Sequence, residues 1–148
     1  MEEVGIGNEP SERLNALTDK VIGSAVEVHR ALGPGYLEGV HKEALAVKLQ
    51  LRGLAFERQF RFDKSYKGHK VGEGRIDLLI ETAIVVALRA VDTLSPIHQV
   101  QVISYLAALG LQVGLLLNFN VPVLKSGIRR IIHTATNSAS SASLWFKS

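Results

Sequence analysis

The chain has 148 residues, 47% of them hydrophobic and 21% charged, no cysteine, and a formal net charge of +3. This length suits one domain that buries a core without disulfides, and the hydrophobic content excludes a disordered chain. Without cysteine there is no disulfide framework, no thiolate metal ligand and no thiol nucleophile, while the small positive charge permits nucleic acid as a partner without selecting it.

The first residues, Met1-Glu2-Glu3-Val4-Gly5, are acidic and lack the apolar run of a secretory signal. No stretch reaches the roughly 18 to 20 apolar residues of a membrane span. A cytoplasmic protein with no membrane partner is therefore expected. Residues 1–13 are polar and aperiodic and read as a flexible arm, with the fold starting near Leu14.

Leu17, Val21, Ile22, Ala25, Val28, Ala31 and Leu32 recur at helical spacing, with Thr18 as a candidate cap and Gly33-Pro34-Gly35 as the stop. Leu37, Val40, Ala44, Leu45, Val47 and Leu51 mark a second amphipathic helix ended by Gly53. Residues 55–62 alternate apolar and polar at period two, as a strand with one wet face does. A turn at Tyr66-Lys67-Gly68-His69 leads to strands over 70–80 and 83–91, joined by a tight turn at Glu81-Thr82. The second of these is almost wholly apolar, which places it centrally in a sheet. Pro96 opens a helix that runs to Gly110, and Val113–Phe119 is a short apolar strand reached through that crossover and so parallel to its neighbour. Residues 128–133 read as an edge strand.

From Thr134 to Ser143 only Thr, Ala, Asn and Ser occur, the composition of a flexible linker. It ends in Leu144-Trp145-Phe146, which carries the chain's one tryptophan. Leu144, Trp145 and Phe146 either dock in a groove of a protein partner or pack on their own domain.

Several polar residues stand in positions that demand a partner. Asp77, amid Ile76, Leu78 and Leu79, requires solvent or a cation, and Arg75 and Arg89 are the candidates. Gln101 and Tyr105 are one helical turn apart and share a face. Glu38 stands early in the second helix, where the dipole favours a carboxylate. His29, His41, His69, His98 and His133 are scattered, with no pair four residues apart, so each is expected at the surface or the edge of the core and a zinc site has little support. Arg129-Arg130 with Lys125 forms a modest basic cluster on what reads as a solvated edge strand. The glycine-rich turns lack the strand-loop-helix context of a nucleotide site.

A set of motifs runs through the chain: Ala25-Val26-Glu27-Val28-His29, Leu32-Gly33-Pro34-Gly35, Gly35-x-x-Glu38-x-x-His41, Arg75-x-Asp77-Leu78-Leu79, Val86-Ala87-Leu88-Arg89-Ala90-Val91, Gln101-x-x-x-Tyr105-Leu106 and Gly114-Leu115-Leu116-Leu117-Asn118-Phe119. Over residues 14–133 this pattern resembles the GxxExxY proteins of the PD-(D/E)XK nuclease superfamily. The resemblance implies an α/β fold, a PD-(D/E)XK nuclease-like core with a central mixed sheet of about four to five strands flanked by helices. In that superfamily an aspartate and the glutamate of an E-x-K pair hold magnesium, and the lysine activates water. Asp77 carries over, but Ala87 stands at the glutamate position, Arg89 at the lysine position and His41 at the motif tyrosine. A methyl group cannot bind a hard cation, and a guanidinium does not deprotonate near neutral pH.

Two functional expectations follow from the resemblance. One is a catalytically inactive nuclease-fold protein that acts by binding or homo-oligomeric assembly, with Asp77 and Arg89 paired where the metal would sit. The other is a magnesium-dependent nuclease or nucleic-acid-binding protein in which Glu38 joins Asp77 as a relocated metal ligand, with Arg89, Gln101 and Tyr105 completing a catalytic set. Magnesium is implied only in the second.

Overall fold

The computed structural model describes residues 2–6, as backbone, and 9–133. In chain order the elements are β1 (Glu2–Ile6), α1 (Glu12–Leu32), α2 (Glu38–Leu51), β2 (Phe56–Tyr66), β3 (His69–Ile80), β4 (Ile84–Arg89), α3 (Pro96–Leu109), β5 (Val113–Asn118), a 3₁₀ turn (Leu124–Gly127) and β6 (Ile128–His133).

Helix α1 begins two residues before the expected Leu14 because Ser11 caps it, its hydroxyl accepting from the Leu14 amide at 3.2 Å. Thr18 is no cap. It is fully buried inside the helix, and its hydroxyl donates back to the Leu14 carbonyl at 2.8 Å. Gly33, at φ 72°, ends the helix in the left-handed region. Helix α3 is held at its start by Ser95 and His98, which satisfy each other's backbone in a capping box, and Gly110 closes it in the αL conformation.

The six strands lie in the order β1-β6-β5-β4-β3-β2. The sheet is mixed: β1 runs parallel to β6 and β4 to β5, while β2–β3, β3–β4 and β5–β6 are antiparallel. The parallel β4–β5 pair is joined through α3, as the crossover requires. The flexible arm expected over residues 1–13 is corrected where the chain is described, since Glu2–Ile6 pair with Arg129–His133 and so add a sixth strand. Strand β6 is consequently flanked on both sides rather than an edge. The expected linker over 134–143 and Leu144, Trp145 and Phe146 lie outside the described residues.

Apolar strand faces are covered from both sides. Helices α1 and α2 pack Val21, Ala25, Val28, Leu45 and Leu49 on Leu78, Ile80, Val86, Leu88, Leu115 and Leu117. Helix α3 packs Val102, Ile103 and Leu106 on Ile76, Leu79, Val85, Ala87, Leu116 and Ile131. Every residue of β5 is buried, and all of β4 except Arg89, as central strands covered on two faces must be. At Gly114 a Cβ would come within 2.6 Å of Val102, so glycine lets α3 lie close on the sheet. This close packing helps set the height of Gln101 above β4. No helix among the described residues is long and apolar enough to cross a membrane.

Candidate functional site

The ladder between β2 and β3 shifts register at Lys64/Ser65 and is interrupted at a second point nearer the start of β2. Arg58 pairs with Leu78 and Phe60 with Ile76, but Gln59 and Asp77 between them do not pair, and Gln59 has φ 51°. Across this irregularity the side chains change sides. Leu78 packs under α1 and α2, whereas Ile76, two residues earlier, packs under α3. A regular strand would keep both on one face. Asp77 stands at the switch, one residue beyond the Leu78–Val86 pair that ends the β3–β4 ladder.

The Asp77 carboxylate takes the place of the missing ladder. Its Oδ2 accepts from the Leu88 amide at 2.8 Å and from Arg89 Nη1 at 3.2 Å. Its Oδ1 is paired with Lys42 Nζ at 2.8 Å. Arg89 also donates from Nη1 to the Leu88 carbonyl at 2.6 Å and from Nη2 to Gln101 Oε1 on α3 at 2.8 Å. Glu38 Oε1 lies 3.6 Å from Arg89 Nη1 and 4.0 Å from Lys42, so it makes charge contacts too long for hydrogen bonds. Four charges of alternating sign, supplied by α2, β3 and β4, thus converge and cancel, with the Asp77 side chain 13% exposed and that of Glu38 36%.

The predicted Asp77–Arg89 pair is therefore present, and Glu38 and Gln101 join it. Tyr105 sits to one side, its ring edge-on to Phe62 at 5.7 Å between centroids. Burial raises the Tyr105 phenol above its ordinary pKa of 10.0; the positive charge of Arg89 opposes that rise and Asp77 adds to it. Ala87 is 3% exposed and belongs to the core under α3. Arg75 is exposed and takes no part. His41 is directed elsewhere, with one ring nitrogen 2.9 Å from the Gly33 carbonyl and its ring stacked 4.6 Å from Phe119.

Two residues of this region were not singled out from the sequence. Lys42 has one local signal, its spacing of four from Glu38 on a helix, but nothing local connects it to Asp77. Asn118 is 2% exposed, and its side-chain amide both accepts from the Val91 amide at 3.0 Å and donates to the Val91 carbonyl at 2.9 Å. Together with the bond from the Phe119 amide to the Arg89 carbonyl at 2.9 Å, it fixes the chain just beyond β4 and so the base of Arg89.

The expectation that all five histidines lie at the surface or core edge is corrected for three. His29, His41 and His133 are buried, and His29 places a ring nitrogen 2.8 Å from the Val121 carbonyl. The basic cluster also changes character, because Arg130 reaches Asn15 on α1 and Arg129 bonds the Ser126 carbonyl at 3.0 Å, both on an interior strand.

A family model of the PD-(D/E)XK nuclease superfamily matches residues 15–131. The chain belongs to the PD-(D/E)XK nuclease superfamily. No curated protein and no solved structure matches it. In this superfamily member the α/β core and the mixed sheet flanked by helices are those the sequence implied, with Asp77 and the Ala87-x-Arg89 strand side by side.

Magnesium is the group the superfamily implies, and the residues present do not fit it. A small hard cation needs several oxygen ligands, of which carboxylates are the charged ones. Both Asp77 oxygens already face donors, Glu38 faces two cationic side chains, and β4 offers a methyl group. Among the described residues no group of three His, Cys, Asp or Glu side chains could hold a metal ion.

Proposed function

We propose that this superfamily member, a GxxExxY protein with its E-x-K pair changed to Ala87-x-Arg89, is catalytically inactive and acts by binding or homo-oligomeric assembly. The observation that carries the reading is the state of Asp77, whose oxygens are neutralised by Lys42 and Arg89 with no second carboxylate on β4. Such a site lacks the carboxylate set that would hold a metal to polarise phosphate and generate hydroxide, and the Arg89 guanidinium in the lysine position cannot serve as a base. The test is cleavage of plasmid and single-stranded DNA and RNA with magnesium or manganese. No cleavage is expected, and cleavage abolished by Asp77→Ala overturns the reading.

A binding role is supported by a largely apolar cleft of about 620 Å³ between α1 and the loop before β6, whose lining includes Ile22, Val26, Val123, Leu124 and Ile128 together with Arg30 and Lys125. None of these residues belongs to the Asp77 cluster. The occupant in this reading is Leu144-Trp145-Phe146, from the same chain or a second copy, since that segment offers the apolar anchors such a cleft takes. Ending the chain at His133 lowers the sedimentation mass if the tail drives assembly; an unchanged mass removes that role.

One observation favours the second reading, a magnesium-dependent nuclease or nucleic-acid-binding protein. Glu38, the relocated carboxylate that reading needs, does share both Arg89 and Lys42 with Asp77. Calorimetric titration of magnesium and manganese separates the two, because a metal site produces heat that Asp77→Ala removes.

A further inference from the structure

We infer that the outer face of α2 is where two copies of this chain pair, with their α2 helices antiparallel about a two-fold axis at Ala44. The inference rests on the assembly part of the proposed function and names its surface. Nine large apolar side chains are exposed among the described residues, and five of them, Tyr36, Leu37, Val40, Val47 and Leu51, lie in α2 or just before it. Leu37, Val40, Ala44, Val47 and Leu51 follow one another at alternate intervals of three and four, the spacing of a seam that packs on another helix. The two ends of this row are the most open, Leu37 at 83% and Leu51 at 77% exposed. Leu37 is also the N-cap of the helix and makes no capping hydrogen bond, at a position where Ser, Thr, Asp or Asn would serve the backbone. An exposed leucine in place of a cap suits a face that is covered by apolar surface.

The pattern of the row and the charges beside it select a second copy as the occupant. Read from either end the row is Leu, Val, Ala, Val, Leu, so a two-fold axis through its middle lays it on a copy of itself, as an isologous interface requires. Ala44, the smallest of the five, falls on the axis, where the two helices approach most closely. The same rotation carries Leu37 of each copy to the Leu51 end of the other, where Ala31, Leu32, Val47 and Leu51 line an apolar groove of about 340 Å³ between α1 and α2. The charged residues flanking the row are already neutralised within the chain, Glu43 by Arg58 on β2 and Lys48 by Glu27 on α1. A partner therefore needs apolar complementarity and no charge of its own, which a second copy supplies. Pairing leaves the Asp77 cluster free, since Lys42 reaches Asp77 from the opposite side of α2.

The experiment is sedimentation velocity of the full chain as wild type, Leu37→Glu, Leu51→Lys and an equimolar mixture of the two variants, with far-UV circular dichroism to confirm that each folds. The wild type is expected at twice the chain mass of 16.1 kDa. Each variant alone is expected at the single-chain mass, because the two-fold axis counts its charge twice and raises the dissociation constant about a hundredfold. Mixing is expected to restore the dimer, since the antiparallel arrangement brings the new carboxylate of one chain beside the new ammonium of the other. Ile97→Lys charges an exposed apolar residue of α3 outside the row and is expected to keep the wild-type mass. Should either variant fail to fold, Val40→Glu and Val47→Lys supply the same two charges nearer the axis. A wild type at the single-chain mass overturns the assembly reading and the inference with it. A wild-type dimer that the variants keep, or that their mixture does not restore, overturns the inference alone and leaves assembly to another surface, such as the cleft and the tail.

Discussion

His41 and Lys42 are neighbours on α2, yet they serve two polar regions that solve burial by different physics. His41 is 1% exposed and accommodates its imidazole with a backbone carbonyl, that of Gly33, and an aromatic face, that of Phe119. His29 does the same from α1, with the Val121 carbonyl at 2.8 Å and Phe119 at 6.1 Å. Each ring nitrogen facing a carbonyl must carry the proton, so the two rings donate there as N–H groups. Lys42 instead enters a cluster of full charges that stays partly wet, with side-chain exposures from 13% to 36%. The difference teaches what limits depth. These two imidazoles are buried outright with a single acceptor each, whereas a charge needs an opposite charge and still remains near water.

The sharpest way to break the comparison is to remove the hub of the ionic region. Asp77→Leu leaves Lys42 and Arg89 with only their longer contacts to Glu38, and the Leu88 amide without its acceptor. A loss of about 3 kcal/mol is expected from these uncompensated groups, and chemical denaturation at low and high salt measures it. The loss should shrink as salt screens the two stranded cations, because this region touches solvent. His41→Ala attacks the neutral region, removing one hydrogen bond and a buried ring, for about 2 kcal/mol. That loss should be the same at both salt concentrations. Equal salt responses for the two variants would abolish the distinction. Arg89→Lys is milder. Lysine cannot bridge Asp77 and Gln101 in one plane as the guanidinium does, and about 1 kcal/mol is expected from the same measurement.

The two regions also differ in how far the sequence announces them. Asp77 and Arg89 were legible as a pair because each stands in an apolar strand, where a charge without a partner is costly. The helices, the hairpin turn at Lys67-Gly68, the central place of β4 and the parallel crossover were legible from period and punctuation. Lys42 was not, because helical surfaces carry lysines as a rule and its partner is 35 positions away. Periodicity reports which face of an element is apolar, and it is silent on which polar side chain from another element crosses to meet it. Histidine burial was illegible for a related reason: the acceptors of His29 and His41 are backbone carbonyls, which leave no mark on composition. Strand β1 was missed because Glu2-Glu3-Val4-Gly5-Ile6 is short, opens on two acids and alternates only through Val4 and Ile6, with glycine between them. What holds it is a ladder to β6, a tertiary contact that overrides weak local preference.

His133 extends the comparison to a neutral ring whose two nitrogens meet no partner among the described residues. It is fully buried at the end of β6, where its backbone amide donates to the Gln112 carbonyl at 2.8 Å. Burial lowers its pKa below the ordinary 6.5, since a charged imidazole would lose its hydration there. The sign of the consequence is fixed by which state protonates first. Above pH 6.5 the ring is neutral in folded and unfolded chains alike, and it contributes no pH dependence. As pH falls through 6.5 toward the depressed folded value, the unfolded chain takes up the proton first, so stability drops by at most about 1.4 kcal/mol per pH unit. His133→Leu removes that titration. Comparing urea midpoints at pH 7.5 and pH 5.5, the wild type should lose more stability on acidification than the variant. Identical acid losses would mean that the imidazole finds a partner able to hold its proton, which would move His133 from the neutral kind of burial to the ionic one.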